Sequence, residues 1–380
     1  MRFIDTMPEL ERLAERLAAE PLIAADTEAA GYHRYQDRLC LLQVSTRETT
    51  WLVDTMALGS LNPIAELFAD PSVEVVFHDA DYDLRLLDRD FGVHVRGLFD
   101  TKIAARFVGE RSFGLASMLG DELGLELEKK FQRADWAKRP LPEEMLEYAA
   151  MDTRYLPQLR DRLHARLREL GRVEWAEEEF RIQEQTGWEA PEDEETAFLR
   201  LKGTRDLSRL QLGALRELYA WREAVARERD VASFRVVTND VLVETARAMP
   251  ADERALAQLP GMSPAYARRY GEELLTAVER ARAQPADRLP ERPRRERRPV
   301  RDPELDARVD RLKAARDREA DRLGLDRGFL MPRSQLEAVA REQPRDPAAL
   351  RSVYGIRRWQ VEAIGKALLA ALNGNWNGDI

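Results

Sequence analysis

The chain repeats itself. Shifted by 94 residues, it pairs Arg222 with Arg316, Leu242 with Leu336, Pro250 with Pro344, Leu256 with Leu350, Gly261 with Gly355, Gly271 with Gly365 and Leu275 with Leu369. Seven identities without a gap, including one proline and two glycines, imply two copies of one structural unit. Both copies have helical periodicity. Between them residues 285–303, "PADRLPERPRRERRPVRDP", are proline-punctuated and arginine-rich with no apolar face, and read as a linker. Two small all-α domains are therefore expected, at 205–284 and 304–380. They differ at one turn. Ser263 suits an N-cap and Pro264 a first helical position, whereas the second copy has Arg357 and Arg358 there.

Residues 1–172 belong to another class. The β-rich runs "LIAADTE", "LCLLQVST", "TTWLVDT" and "VEVVFHD" come with helical stretches between and after them, so this part reads as α/β. The close succession of the first three predicts an antiparallel meander. From about residue 140 only helical periodicity remains, and "DRLHARLRELGR" ends a helix at Gly171. Residues 173–204, with the acidic "EAPEDEETAF", read as a helical, acidic connector.

Several functions are excluded by composition. No apolar run approaches 18 residues, so no membrane span is expected. The opening "MRFIDTMPELERLAERL" is an amphipathic pattern rather than a signal peptide. The single cysteine, Cys40, can make no internal disulfide, which points to a reducing compartment, the cytoplasm. Four histidines, at 33, 78, 94 and 164, show no paired spacing, and a structural zinc site is not expected. The net charge of −9 argues against a uniformly basic nucleic-acid binder but leaves room for a local basic path. Nothing in the sequence calls for an obligate protein partner.

Three acidic stretches need a reason. In "PLIAADTEAAG", Asp26 and Glu28 alternate on one face of a strand, one pleat apart. Either they cap a following loop, or a cation between them offsets their repulsion. In "FHDADYDLRLLDRDFG" a β-rich run passes into a helix. Asp79 or Asp81 is the natural N-cap, which leaves Asp83 in the first turn before an apolar stripe. In "LPEEMLEYAAMDTRYL", Pro142 suits a first helical position, and Tyr148 and Asp152 stand four apart on one helix face. Alone, such a pair is ordinary surface decoration.

Taken in order, Asp26, Glu28, Asp83, Tyr148 and Asp152 resemble the tyrosine-bearing branch of the DEDD exonuclease superfamily. With "LCLLQVS", "FDTKIAARFVG", "GLASML" and "ADWAKRPL", the chain is similar to the bacterial ribonuclease D family. Its paired repeats look like the helicase-and-RNase-D C-terminal (HRDC) domains of that family. The resemblance covers essentially the whole chain. It implies a ribonuclease H-like α/β exonuclease domain followed by two small helical domains. It also implies 3′→5′ hydrolysis of RNA from a free 3′ end, with tRNA precursors as substrates. A related exodeoxyribonuclease and a catalytically silent RNA-binding scaffold are the alternatives. The four carboxylates would hold two divalent ions, Mg²⁺ or Mn²⁺, since hard oxygen ligands favour these. Tyr148, a poor base near its ordinary pKa of about 10, would align the attacking water.

A basic path is present in "EKKFQRADWAKRP", where Lys129, Lys130, Arg133, Lys138 and Arg139 mix with Phe131 and Trp136. Cations can hold phosphates while rings stack on bases, or Trp136 can pack inward. His33 and Tyr35 are candidates to line a terminal-nucleotide pocket, and Gln43 reads as a satisfied core amide. In the first repeat Arg268 and Arg269 follow a helix start suited to phosphate. The first repeat is accordingly expected to bind RNA and the second mainly to pack, with "RRW" at 357–359 as the counter-indication.

Overall fold

A computed structural model of the chain describes residues 1–127, 130–190, 194–292 and 302–374. The N-terminal part is built on one six-stranded sheet. Its strands are β1 (Arg2–Ile4), β2 (Leu22–Ala29), β3 (Leu39–Ser45), β4 (Thr50–Val53), β5 (Glu74–Phe77) and β6 (Leu98–Asp100), ordered β1-β4-β3-β2-β5-β6. The expected meander of β2, β3 and β4 is there, and β3 alone runs against the other five strands. All seven β3 residues are buried, which fits their nearly unbroken apolar run. The sequence did not announce β1 and β6. Each has three residues, too few for alternation to be seen, and the amphipathic pattern at the N-terminus belongs to the helix after β1.

Helices cover both faces. On one lie α1 (Met7–Leu17), α2 (Thr55–Leu58), α3 (Asn62–Phe68) and α4 (Asp81–Phe91), where Leu10, Leu13, Ile64 and Leu87 pack with Ile23, Ala25 and Val75. The other carries α5 (Thr101–Phe107), α6 (Leu115–Leu123), α7 (Glu143–Arg154), α8 (Leu156–Glu169) and α9 (Val173–Gln183). Leu156, Leu159 and Leu163 of α8 pack there with Leu22, Ala24 and Val76. Pro142 is the N-cap of α7, one place before the position expected of it.

Among the described residues the C-terminal half holds two runs of five α-helices. The first is α10 (Arg209–Glu228), α11 (Ser233–Val236), α12 (Asn239–Ala248), α13 (Glu253–Leu256) and α14 (Pro264–Arg282). The second is α15 (Pro303–Leu323), α16 (Arg327–Leu330), α17 (Arg333–Glu342), α18 (Pro347–Ser352) and α19 (Arg358–Leu372). Every helix of the second run starts 94 residues after its counterpart. The repeated residues have repeated tasks. Arg222 and Arg316 are both buried, and each donates to the carbonyl ending the next helix turn, Val237 and Met331 respectively. Gly261 and Gly355 both take a positive φ, 78° and 81°, which disfavours side chains.

The two domains are seated differently. The first has a core of its own, with Leu215, Leu242, Leu256 and Leu274 at its centre. The second shares one with the exonuclease domain: Leu312, Leu336 and Trp359 belong to the same apolar cluster as Phe107 and Phe180.

Candidate active site

β2 outruns its neighbour. It pairs with β5 only from Leu22 to Ala24, while its pairing with β3 continues to Ala29. Past Ala24 the β5 side is open to the start of α4, and here the acids gather. Leu22 and Ala24 face α8, and alternation carries Asp26 and Glu28 to the same side. Thr27 points the other way, and its hydroxyl donates to the Asp83 carboxylate.

Asp83 stands in the first turn of α4 and is 6% exposed. Neither Asp79 nor Asp81 caps this helix. Asp79 has a φ of 68° and pairs with Lys102, while Asp81 is the first helical residue and pairs with Arg85 (3.0 Å). The capping comes from Asp100 at the end of β6. Its carboxylate accepts from the N–H groups of Asp79 (3.1 Å) and Ala80 (2.8 Å), and from those of Lys102 and Ile103 at the start of α5. One side chain thus fixes two helix starts. An acid directly before "TKIAARF" was the available signal.

α7 lies over β3 and β4. Thr153 meets Ser45 through their hydroxyls (2.7 Å), and Ala149 and Ala150 are fully buried against Leu41 and Leu52. This seat turns Tyr148 and Asp152 toward the tip of β2. The Tyr148 ring rests on Phe131 (5.8 Å) and Trp136 (6.2 Å), and Trp136, 1% exposed, is packed inward. A cavity of about 560 Å³ opens beside Tyr148 and Asp152, with Lys130, Phe131 and Glu144 on its wall.

The site's electrostatics are those of crowded acids. Burial raises Asp26 well above the usual carboxylate range, and the charges of Asp83, Asp152 and Glu28 raise it further. Burial raises Glu28 likewise, followed by Asp152 and Asp83. Asp83 and Asp152 are pushed by burial to about 7. The Tyr148 hydroxyl is raised by burial and by the charges of Asp152, Glu28 and Asp26, so it stays protonated at neutral pH. Asp26 and Glu28 feel the charges of the other acids, while burial dominates at Asp83 and Asp152. Although all four converge on this end of the sheet, among the described residues no three His, Cys, Asp or Glu side chains form a group that could hold an ion as they stand. As a donor set, four hard oxygen ligands with no sulfur or imidazole among them match a divalent cation of the Mg²⁺ type.

The basic candidates divide. Lys129 lies outside the described residues. Lys130 pairs with Glu144 (2.5 Å). The guanidinium of Arg139 clasps the buried Asp54 (2.6 and 2.7 Å) and the carbonyls of Trp136 and Cys40. Arg133 and Lys138 are exposed, as are Arg268 and Arg269 on α14. His33 is taken up by a contact inside the exonuclease domain and Tyr35 by one to the first helical domain. The His33 ring bonds the Arg133 carbonyl (2.8 Å), and the Tyr35 hydroxyl accepts from Arg227 (3.0 Å). Gln43 is buried, but neither amide atom meets a hydrogen-bond partner, so it is not the satisfied core amide expected. Its strand neighbour is Asp26.

A mixed six-stranded sheet with Asp26 and Glu28 at the end of β2, and Asp83, Tyr148 and Asp152 brought toward them by α4 and α7, is an arrangement that fits a 3′→5′ exonuclease of the DEDD type. The family description "3'-5' exonuclease" matches residues 1–168, and the HRDC domain matches twice, at 211–278 and 306–372. Ribonuclease D of Gluconacetobacter diazotrophicus is 35% identical over 84% of this chain and 81% of its own length. That of Granulibacter bethesdensis is 31% identical over 96% and 91%. The crystal structure of Escherichia coli RNase D, described as an exoribonuclease involved in structured RNA processing, has a TM-score of 0.67 at 29% identity and covers 98% of both chains. The chain belongs to the ribonuclease D family and is a 3′→5′ exoribonuclease. Its exonuclease domain is of a type that works with divalent metal ions. No helix among the described residues is long and apolar enough to cross a membrane.

Proposed function

We propose that Asp26, Glu28, Asp83 and Asp152 hold two divalent ions, Mg²⁺ or Mn²⁺, and that the site removes 5′-mononucleotides from a free RNA 3′ end. The observation that carries this reading is the set of four carboxylates around the tip of β2, each raised by burial, with Asp26 and Glu28 raised also by their neighbours' charges. Bound there, the ions supply the acidity and positive charge that phosphodiester hydrolysis needs. The protein's own part is positional. Thr27 holds Asp83 in place, β2 fixes Asp26 and Glu28 one pleat apart, and α7 brings Asp152 opposite. Tyr148 is protonated and wedged between two rings, which suits an O–H that orients water rather than a base that deprotonates it. Structured RNAs such as tRNA precursors are the substrates we assign, and the cytoplasm the compartment, on the strength of the ribonuclease D kinship and the lone, buried Cys40.

The test is Asp26→Asn and Asp152→Asn, assayed on 3′-labelled RNA with Mg²⁺ and titrated with Mn²⁺. Both should lose hydrolysis and metal affinity, and activity within tenfold of the parent would overturn the reading. Tyr148→Phe should keep metal affinity and lose about 10²-fold in turnover. A pH scan in chelator gives a second readout. Asp152 rises from its ordinary 3.8 to about 7, so between those values the folded protein keeps a proton that the unfolded chain has released. The parent should therefore lose stability relative to Asp152→Asn as pH climbs from about 4 to about 7. Added Mg²⁺ should restore it.

A further inference from the structure

Where the exonuclease domain meets the first helical domain, two large rings face solvent. Tyr32, four residues past Glu28, is 41% exposed, and Phe234 of α11 is 42% exposed. Their centroids are 5.3 Å apart at 53°. Two guanidiniums flank Tyr32, Arg133 at 5.5 Å and Arg235 at 5.0 Å, and Arg235 also lies 5.9 Å from the Phe234 ring. Among the described residues neither arginine pairs with a carboxylate. Arg235 donates to the Tyr32 carbonyl (2.8 Å), while the Arg133 carbonyl accepts from the His33 ring N–H (2.8 Å). These bonds, with Ala232 N–H to the His33 carbonyl (3.2 Å), fix the cluster across the seam.

The cluster adjoins the site. Phe131, which touches Tyr148, is two residues from Arg133, which touches Tyr32. From Glu28 to Tyr32 the chain can span at most about 14 Å. Exposed rings between unneutralised guanidiniums fit a ligand with flat apolar faces and negative charge at regular spacing, which is single-stranded nucleic acid.

We infer that Tyr32, Phe234, Arg133 and Arg235 form a stacking platform for the single-stranded RNA just upstream of the 3′ end being cut. Bases stack on the two rings while the guanidiniums hold phosphates, so part of the RNA site comes from the helical domain. This rests on the exoribonuclease reading above and names where its substrate lies.

The experiment compares a long single-stranded oligoribonucleotide, which reaches the platform, with a dinucleotide, which does not. In Phe234→Ala and in Tyr32→Ala, kcat/KM for the long RNA should fall about tenfold relative to that for the dinucleotide, within the range of one lost base stack. The fall should appear in KM rather than kcat, and Phe234→Trp should restore it. Arg235→Gln should lower the slope of log affinity against log salt by about one. An unchanged long-to-dinucleotide ratio in both ring variants would overturn the platform. So would a Phe234→Trp variant no better than Phe234→Ala. If the parent with Mg²⁺ degrades neither RNA, the failure lies in the exoribonuclease reading instead.

Discussion

The two helical domains share a fold and the spacing of every helix, yet they are held in opposite ways. The first touches the exonuclease domain mainly through polar groups, with the Tyr32–Phe234 pair as the ring contact of the seam. Asp230 accepts from the Tyr35 N–H (3.3 Å) and from Arg34 (3.4 Å), and Arg227 donates to the Tyr35 hydroxyl. The second is held by rings. Phe107 of α5 meets Phe329 (4.8 Å) and Trp359 (4.9 Å), and Trp175 of α9 meets Trp359 (5.8 Å). Arg172 donates to the Phe107 carbonyl on its own side (2.6 Å) and across the seam to that of Leu323 (2.7 Å).

The divergent turn explains the difference. In the first domain Ser263 caps its own helix, accepting from the Tyr266 N–H (3.1 Å). At the matching place in the second, Arg357 cannot do this. The carboxylate of Glu178 on α9 accepts instead from the N–H groups of Arg358 (2.7 Å) and Trp359 (2.9 Å). One helix start is self-sufficient and the other is completed by a neighbour. Losing a cap from sequence and gaining a docking partner are the same event, seen at two levels.

Substitutions can break or sharpen this contrast. The largest effect is expected from Trp359→Ala, which empties a fully packed ring position and should cost about 3–5 kcal/mol in a urea or thermal melt. The matching residue of the first domain is the exposed Ala265, where Ala265→Ser should stay within about 0.5 kcal/mol. Similar losses at both sites would abolish the distinction. Next comes Glu178→Ala, which strips two helix-start N–H groups of a charged acceptor and should cost about 1–2 kcal/mol. Ser263→Ala should cost about 1 kcal/mol, and hydrogen exchange should show the loosening confined to the first domain. Spread of that loosening into β2 or α7 would mean the first domain is coupled more tightly than its polar seam implies. Asp230→Ala is the smallest, at most about 1 kcal/mol, because its contacts are exposed.

What the sequence revealed follows from how local each signal is. That Asp26 shares a strand face with Glu28, and Tyr148 a helix face with Asp152, was readable because strand alternation and helix spacing act within a few residues, while their grouping into one site came from the family resemblance. The repeat was readable because Gly261 and Gly355 need a backbone conformation that few side chains accept. The ion pair of Arg139 was not readable because its partner Asp54 lies 85 residues away, and nothing in "AKRPL" points to it. Asp100 was passed over for a related reason: its capping of α4 joins strands that are neighbours only in the folded sheet. The unpartnered amide of Gln43 is visible only once every surrounding atom is in place.

The shared core of the second domain has a consequence for synthesis. α9 is complete at Gln183, but the ring that covers it and α5, Trp359, leaves the ribosome roughly 180 residues later. At about 5–20 residues per second that is about 10–35 s with Phe107 and Trp175 uncovered. During this interval the nascent chain presents an aromatic face of the kind chaperones hold. The first domain, whose core closes within its own sequence, has no such wait.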